Sequence, residues 1–236
     1  MAVSVDTVYQ RVLALANKEQ RGYITPQEFN LFANQAQMDI FEQYFFDINQ
    51  FNRPPGNSTE YSDMTTMLNE KISLFKTSKN LTYDSATDIN HFPMPSDLYR
   101  LGTVHWGGVG LENKIEVTEI NYNELPYLIS SPLIEPTVER PVFAKRQEGI
   151  VVLPSTIISG VTLTYIKIPH KVEWGYVVLN DKALYNSNTS VDFSLHPSEE
   201  TELVYKILTL CGISIGGELY QAGATEDQRN INQEKQ

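Results

Sequence analysis

The sequence is poor in cysteine and has no long apolar run. Its 236 residues include one cysteine, Cys211, which excludes an intramolecular disulfide framework and is typical of a reducing compartment. No stretch approaches the roughly 18 consecutive apolar residues of a membrane-spanning helix. The N-terminus MAVSVDTVYQRVL lacks the basic region and apolar core of a secretory signal. We therefore expect a protein that folds in a reducing compartment and makes no contact with a membrane.

Positive charge is also scarce. The chain carries 18 Lys and Arg residues against 29 Asp and Glu residues, a formal net charge of −11. A surface that grips nucleic-acid phosphates needs Lys and Arg grouped on one face, and this composition argues against such a surface. It favours solubility at high concentration, and it suits a surface past which nucleic acid slides without adhering.

Catalytic and cofactor motifs are absent. The sequence has no H-E-x-x-H, C-x-x-C, G-x-G-x-x-G, P-loop or G-x-S-x-G pattern. The four histidines are scattered: His91, His105, His170 and His196. Glu199 and Glu200 resemble an acid–base pair, but placement in the first turn of a helix, where the dipole favours negative charge, explains them equally well. We predict no catalytic residue, no cofactor site and no metal site, and we expect that the protein is not an enzyme.

The stretch GYITPQEF resembles the end of a calcium-binding EF-hand loop. With Gly22 at the sixth loop position, Arg21 would occupy the fifth, where a guanidinium offers no lone pair to a cation. A helix start explains the same letters, with Thr25 as N-cap, Pro26 at the first helical position and Glu28 closing a capping box. The sequence therefore predicts the turn of a helical hairpin here rather than a calcium site.

Helical periodicity is concentrated at the two ends of the chain. Residues 5–18 and 26–51 predict two amphipathic helices, and a third is expected over 64–75. The second helix is so aromatic that we expect it either to form the core or to present part of its surface to another subunit. Residues 197–215 predict a buried helix that ends at Gly216-Gly217.

The middle of the chain has the composition of short β-strands. Segments rich in β-branched and aromatic residues, bounded by Gly, Pro and Asn, predict a small antiparallel region. These segments are LGTVHWGG, NKIEVTEI, PVFAKRQ, GIVVLPS and VTLTYIKIP. Weaker strands are expected near 176–179 and 191–195, and HFPMP is expected to follow an extended, edge-like path. The proline-containing stretch NYNELPYLISSPLIEPTVERP is expected to wrap the surface.

Several residues have two interpretations. Trp106 and Trp174 lie next to glycines, which is compatible with a sugar-binding platform or with core and interface packing. Cys211 falls on the buried side of its helix and is expected to be a small core residue rather than a nucleophile. The final segment, 218–236, has little apolar surface, so it is either frayed or ordered by a partner.

Together these patterns predict an α+β fold. We expect a helical bundle formed by the N- and C-terminal helices, with an inserted small antiparallel β region and an extended C-terminal arm. The expected domains are an N-terminal helical part over 1–100, a β-rich insertion over 101–195, and a C-terminal helix and arm over 196–236. The last of these is expected to pack back on the N-terminal helices.

The order of four segments resembles structural proteins of tailed bacteriophages, namely the crAss-like group and related short-tailed phages. The segments are TVYQRVLALANKEQRGYITPQEFNLFANQAQMDIFEQYF, FPMPSDLYRL, ISGVTLTYIKIPHKVEWGYV and LHPSEETELVYKILTLCGISI. The resemblance covers nearly the whole chain and is weakest over 52–90. Proteins of that group are components of the head-to-tail connector, also called adaptor or ring proteins.

The resemblance implies a non-enzymatic virion protein that assembles with itself into a closed, twelve-fold ring below the portal. It implies assembly in the host bacterial cytoplasm and a final location at the head–tail junction or in the tail. The implied partners are the portal protein, other tail or ring proteins, and double-stranded DNA that passes through the lumen without sequence-specific binding. It implies no catalytic or ligand-binding residues. The residues themselves leave one alternative, a receptor- or glycan-binding tail component that uses Trp106 and Trp174.

Overall fold

A computed structural model of the chain describes residues 3–18, 24–52, 59–85, 91–107, 114–147, 149–180 and 182–212. The chain divides into two compact units. A helical unit comprises Met1–Leu74 and Pro169–Gln236, and a sheet unit comprises Phe75–Ile168. The predicted domains placed the β-rich part at 101–195, whereas the observed sheet unit begins earlier and ends earlier in the chain.

The described residues form five α-helices and nine β-strands. The α-helices are α1 (Val5–Lys18), α2 (Pro26–Asn52), α3 (Thr59–Ser73), α4 (Leu125–Ser130) and α5 (Glu200–Leu210). The strands are β1 (Lys76–Asn80), β2 (His91–Pro93), β3 (Leu98–Trp106), β4 (Ile115–Glu119), β5 (Val142–Lys145), β6 (Gly149–Leu153), β7 (Val161–Lys167), β8 (Tyr176–Leu179) and β9 (Lys182–Tyr185). None of the described helices is both long enough and apolar enough to cross a membrane.

The helical unit is built from α1, α2, α3 and α5 together with the β8–β9 hairpin. Helix α5 packs against both α1 and α2, and α3 packs against α2. Arg11 of α1 and Glu200 of α5 form an ion pair at 3.0 Å. The largest fully buried side chains of the unit are Phe29, Ile40, Phe41, Phe193, Leu195, Leu203, Ile207 and Leu208. Apolar stripes on the helices therefore meet in a shared core, as their periodicity requires.

The start of α2 has the local structure that its sequence predicts. The Thr25 N–H donates to Glu28 Oε2 at 3.0 Å, and the Glu28 N–H donates to Thr25 Oγ1 at 3.3 Å. Pro26 is the first residue of the helix. The predicted capping box is confirmed. The Thr25 N–H and the Thr25 hydroxyl, which donates to Glu28 Oε2 at 2.8 Å, lower the pKa of Glu28. The remainder of the EF-hand-like stretch, residues 19–23, lies outside the described residues.

Amide side chains on one face of α2 pair with the backbone of an extended segment, residues 170–174. Asn34 accepts from the Val172 N–H and donates to the Val172 carbonyl oxygen, both at 2.8 Å. Asn30 makes the same pair of contacts with Trp174, at 2.8 and 3.4 Å. We call Asn30, Asn34 and Gln37 the amide ladder, because they are spaced at helical intervals and reach successive points of one extended segment.

Gln37 completes the amide ladder. Its Nε2 donates to the His170 carbonyl oxygen at 2.8 Å, and its Oε1 accepts from the Ser194 N–H at 2.9 Å. The opposite edge of the extended segment pairs with the chain near residue 191 through a bridge between Glu173 and Val191. The amide ladder thus takes the place of a neighbouring strand and satisfies backbone groups that burial would otherwise leave unpaired.

The sheet unit contains one seven-stranded sheet with the order β1-β7-β3-β4-β5-β6-β2. Its neighbouring strands are antiparallel except for β4 and β5, which are parallel. A parallel pair needs a crossover connection of a dozen or more residues. Residues 120–141 provide that connection, and they include α4. Strand β2 lies at one edge of the sheet, as the two prolines around Met94 predicted.

The core of the sheet unit lies on one face of the strands. Along β7, Val161, Leu163 and Tyr165 are buried and the residues between them are less so, which confirms the predicted alternation. The buried cluster also includes Leu81, Phe92, Val104, Val117, Phe143, Ile150, Val152 and Ile157. The pairing of β3 with β7 shifts register near Gly102. A Cβ at Gly102 would lie 2.6 Å from the Thr164 carbonyl oxygen, so only glycine fits at this irregularity.

The predicted fold class is wrong. The chain is not a helical bundle with a small antiparallel β insertion, because a large, curled, mixed sheet of seven strands dominates the structure and the described helices are five. Strand β1 (KTSKN) is polar and carries too little periodicity to be recognised, and β2 (HFP) was expected only as an extended, edge-like path; both widen the sheet beyond the predicted strand segments. The parallel β4–β5 pair depends on a crossover whose geometry sequence periodicity does not reveal.

Two helix boundaries also differ from the prediction. Helix α3 begins at Thr59, five residues before the predicted start. Helix α5 ends at Leu210 rather than near Gly216, and Gly212 follows it with a φ of 72°. A positive φ just past a helix end is the usual role of glycine, so Gly212 is the residue that ends α5. The predicted C-terminal arm lies outside the described residues.

Candidate functional site

The two tryptophans of the glycan-binding alternative lie in different units. Trp174 is 2% exposed, its Nε1 donates to Asp6 Oδ1 at 3.0 Å, and its ring packs against Tyr9 with centroids 4.3 Å apart. Trp106 is half-buried and donates to the Ser159 carbonyl oxygen at 3.1 Å. A sugar platform needs an exposed ring face, so Trp174 is placed as a core residue.

A serine and a histidine lie within hydrogen-bond distance in the helical unit. His170 Nε2 is 2.8 Å from the Asp192 carbonyl oxygen, which can only accept, so this nitrogen carries the proton. Its Nδ1 therefore accepts from Ser194 Oγ at 2.7 Å. The Ser194 N–H, which an acyl-transfer site would use to stabilise an oxyanion, already donates to Gln37. We interpret the pair as a structural contact between residue 170 and the chain near 194.

The other three histidines are placed separately. His91 is buried in β2, and His105 lies in β3 with its Nε2 3.1 Å from Thr103 Oγ1. His196 Nδ1 accepts from the Ser198 N–H at 3.3 Å and so caps the helical turn that precedes α5. Across the described part of the chain, no group of three or more His, Cys, Asp or Glu side chains could hold a metal ion.

Six titratable side chains from α2, α3 and the start of α5 form what we call the polar cluster: Tyr44, Asp47, Lys71, Glu199, Glu202 and Lys206. Lys71 Nζ is 2.5 Å from Glu199 Oε1, and Glu199 also accepts from Ser198 Oγ at 3.0 Å. Lys206 Nζ is 3.9 Å from Glu202 and 3.2 Å from Gln43 Oε1. The polar cluster therefore ties α3 to the start of α5, and α5 to α2.

The pKa values of Glu199, which immediately precedes α5, and of Glu202 on α5 are shifted in opposite directions. Burial acts to raise the pKa of Glu199, but hydrogen bonds from Lys71 and Ser198 and the charge of Lys71 outweigh it and lower this pKa. Burial raises the pKa of Glu202; Lys206 opposes the rise and Glu199 adds to it. Burial likewise raises the pKa of Asp47. One carboxylate is thus held ionised by its ion pair while its neighbours resist ionisation.

Cys211 follows α5 and is partly exposed, whereas the sequence predicted a core residue. Burial, with a smaller contribution from the charge of Glu28, raises the pKa of its thiol to about 11. The thiolate is the reactive form of cysteine. Because the Cys211 thiol stays protonated at neutral pH, it is placed as an unreactive residue at a helix end.

The crossover connection exposes an unusual amount of apolar surface. We call this the crossover surface, and its exposed side chains are Tyr122, Tyr127, Ile129, Leu133, Ile134 and Val138. Leu133 is 93% exposed and Tyr127 is 75% exposed. A crossover helix normally buries its apolar face on the sheet, but α4 has only six residues and buries Leu125 alone. The connection therefore has more apolar side chains than the sheet unit covers.

An open pocket of about 550 Å³ lies beneath the crossover surface. Its lining is Tyr122, Leu125, Pro126, Ile129, Ser130, Arg146, Val151 and Leu153. The Arg146 guanidinium lies 5.3 Å from the centroid of the Tyr122 ring, a cation–π distance. We call this the crossover pocket. Its walls are mainly apolar, so it suits an apolar occupant.

The β8–β9 hairpin exposes a second apolar surface, in the helical unit. We call it the hairpin surface, and its exposed side chains are Val177, Val178, Leu179, Leu184 and Tyr185. Consecutive strand residues point to opposite faces, and Val177, Val178 and Leu179 are each more than half exposed. Both faces of the hairpin end are therefore open. Asn180 at its turn has a φ of 49°, as a tight hairpin requires.

The other exposed large apolar side chains of the described residues are dispersed along the chain: Leu31, Met67, Leu74, Tyr99, Ile158, Ile168, Val191 and Tyr205. Single exposed apolar residues are normal in folded proteins. The crossover and hairpin surfaces differ from these because each groups at least five such residues within one short stretch. The sequence signal was present in SSPLIEP and in VVLNDKALY, where apolar letters occur without a helical or strand period that would bury them.

Comparison with known proteins does not place the chain in a family. No protein-family model matches it, and no curated protein matches it either. The described residues thus offer three features from which function can be inferred, namely the polar cluster, the crossover surface with its pocket, and the hairpin surface.

Proposed function

We propose that the chain is a non-enzymatic structural protein of a tailed-bacteriophage virion. In this proposal it is a subunit of a homo-oligomeric ring in the head-to-tail connector, where it joins the portal to the tail and encloses part of the DNA channel. The observation that carries the proposal is the presence of two different exposed apolar surfaces, the crossover surface on the sheet unit and the hairpin surface on the helical unit.

A closed ring needs two different complementary surfaces on each subunit. A contact between two different surfaces is heterologous. It produces a closed ring when the rotation that relates neighbouring subunits is a whole-number fraction of a full turn. A monomeric soluble protein rarely leaves grouped apolar side chains in water, and grouped ones mark interaction sites. The crossover surface and the hairpin surface are two such surfaces, and they consist of different residues on different units.

The net charge of −11 supports the same proposal. DNA that enters and leaves a channel must not be held by phosphate contacts, whose strength grows with each Lys or Arg that faces it. An acidic protein offers few such contacts, so DNA passes without sequence-specific binding. The charge also limits unspecific association of a protein made at high local concentration.

The alternative of a receptor- or glycan-binding tail component has less support. It relied on Trp106 and Trp174 as stacking platforms, but Trp174 is buried and its indole N–H is already bonded to Asp6. Of the two residues that the alternative named, Trp106 alone keeps part of its surface exposed. We therefore retain the ring proposal.

Particle imaging and mass measurement test the proposal. Electron microscopy of purified virions should place the chain in a symmetric ring between head and tail, and native mass spectrometry of the purified protein should give an integral multiple of one subunit. Twelve copies are expected from the family resemblance. Absence of the chain from the virion would exclude the proposal.

Charge substitutions on the two surfaces provide a second arm of this test. Leu133→Asp and Val178→Lys should each reduce the assembled fraction at least tenfold. A charge buried without a partner costs several kcal/mol, and roughly 1.4 kcal/mol suffices for a tenfold change. Leu31→Asp is the matched control, because Leu31 is exposed to a similar degree but is isolated on α2. All three variants should remain folded, since each replaced side chain is exposed.

A further inference from the structure

The shapes of the two apolar surfaces differ in a way that indicates how they are covered. The hairpin surface is convex, because a two-stranded hairpin exposes apolar side chains on both of its faces. A flat partner would cover one face and leave the other in water. The crossover pocket is concave, and its walls are formed by α4 on one side and by Val151 and Leu153 of β6 on the other.

We propose that the end of the β8–β9 hairpin of one copy inserts into the crossover pocket of the next copy. This inference rests on the proposed ring, since it names the partner of each surface within that assembly. Val178 and Leu179 fill the pocket between α4 and β6, and Leu184 and Tyr185 pack against Leu133 and Ile134 outside it. Each subunit then gives a hairpin to one neighbour and receives a hairpin from the other.

The size of the pocket agrees with this occupant. A volume of about 550 Å³ lies in the range of roughly 300–1,000 Å³ that proteins use for compact apolar groups. A single side chain would leave most of it to water, whereas the two residues that precede the hairpin turn occupy it from both faces of the strand. Packing without voids is the condition under which apolar contacts stabilise an interface.

The apolar area involved is close to what a specific contact needs. Covering the grouped side chains of either surface removes on the order of 500 Å² from water, at roughly 150–250 Å² for each fully buried aromatic residue and less for each half-exposed aliphatic one. Specific interfaces bury about 800 Å² on each partner, including a polar rim. Pairing each surface with itself would give two-fold contacts, which produce dimers or assemblies of dihedral symmetry rather than a ring of purely cyclic symmetry.

Cysteine cross-linking tests the pairing directly. The background is Cys211→Ser, which removes the one native thiol. Ile129→Cys places a thiol in the pocket lining, and Leu179→Cys places one at the hairpin end; both positions are about half exposed. A disulfide requires Cα atoms within about 7 Å, so a bond between these positions reports contact.

The double variant should form, after oxidation, covalent multimers that extend up to the size of the ring. A mixture of the two single variants should stop at covalent dimers, and each single variant alone should stay uncross-linked. The control pair is Ile158→Cys with Leu31→Cys, whose positions are also more than half exposed but isolated, and it should give no series of covalent multimers. Thermal unfolding of each variant verifies that it folds.

The outcomes separate this inference from the proposed function. If rings of the double variant are seen by native mass spectrometry but carry no cross-links, the pairing is wrong and the ring stands. If a single variant forms covalent dimers, that surface pairs with itself and the inference is overturned. If the wild-type chain forms no ring and is absent from virions, the proposed function fails, and this inference fails with it.

Discussion

Asn34 shows how one polar side chain stabilises a distant part of the chain. Its amide supplies both an acceptor and a donor to the backbone of Val172, which is 138 residues away and 2% exposed. The backbone groups of Val172 have no strand on that side, so the amide takes the place of one. A leucine at this position would keep the volume but supply neither hydrogen bond.

We predict that Asn34→Leu destabilises the helical unit by about 2–6 kcal/mol, because two buried backbone groups lose their partners at roughly 1–3 kcal/mol each. The measurement is urea unfolding followed by Trp174 fluorescence, in a Trp106→Phe background that removes the signal of the sheet unit. Gln35→Leu is the control, since Gln35 is the adjacent, exposed residue of the same helix. Equal midpoints for the two variants would contradict the role assigned to Asn34.

The sequence predicts contacts of this kind only when both partners are close in the chain. Thr25 and Glu28 are three residues apart, so their capping box was predicted and is confirmed. The amide ladder has the same helical spacing, but its partners are 133 to 157 residues away. The sequence of α2 does not identify residues 170–174 as the partner of the amide ladder. The Asn and Gln residues of α2 resemble those of an ordinary solvent-exposed helix face.

The contacts among α2, α3 and α5 depend on the ionisation of the polar cluster. The pKa of Glu199 is lower in the folded protein than in the unfolded chain. The ion pair with Lys71 therefore stabilises the fold at pH values above the ordinary pKa of a glutamate. This stabilisation is lost as the pH falls through the lowered pKa of Glu199. Glu202 has a raised pKa and acts in the opposite sense. Its contribution is fully present below the unfolded pKa and is lost as the pH rises through the folded one.

We predict that Glu202→Gln raises the urea midpoint of the helical unit at pH 7 and leaves it unchanged below about pH 4, where a glutamate is protonated in the unfolded chain as well. A glutamine side chain is neutral at both pH values, and its N–H can donate a hydrogen bond to Glu199. The same substitution at the exposed Glu70 of α3 should change the midpoint little at either pH. A lower midpoint for Glu202→Gln at pH 7 would mean that its ion pair with Lys206 outweighs burial.

The elements of the fold were predictable to different degrees. Helix α1 and strand β8 have the bounds that were predicted for them: the apolar residues of α1 recur with a helical period, and β8 is a short run of β-branched and aromatic residues. Strand β1 is a run of polar residues with four exposed positions, so only its pairing with β7 makes it a strand. Helix α3 has mixed spacing, and its start was misplaced accordingly. The secondary structure of such segments is determined by tertiary pairing rather than by local propensity.

The grouping of segments into units and the order of strands in the sheet cannot be predicted from sequence periodicity alone. Both units combine segments distant in sequence or strands that are not consecutive in the sheet. The parallel pair of β4 and β5 requires a crossover, and the crossover carries the apolar side chains on which the proposed ring contact depends. The sequence interpretation expected the second helix either to form the core or to present part of its surface to another subunit. Phe29, Ile40 and Phe41 of this helix are buried, and the grouped exposed residues lie in the crossover connection and in the β8–β9 hairpin.

The C-terminal segment after Gly217 provides a final test of whether assembly uses surface that the monomer does not need. This segment, ELYQAGATEDQRNINQEKQ, has Leu219, Tyr220 and Ile231 as its main large apolar residues. Burial of three such side chains would offset little of the cost of ordering 19 residues. That cost is the lost conformational entropy, about 1–2 kcal/mol for each backbone position. The segment is therefore expected to add nothing to the stability of an isolated subunit.

We predict that deleting the residues after Gly217 leaves the thermal unfolding of the isolated monomer unchanged but impairs assembly of the ring. The expected reason is that a neighbouring subunit or an adjacent connector protein orders this segment and so supplies the contacts that the monomer lacks. Thermal unfolding and native mass spectrometry of the truncated and complete chains measure the two effects separately. A steep fall in the melting temperature of the truncated monomer would place the segment in the monomer's own core, and unimpaired assembly would exclude it from the ring contact.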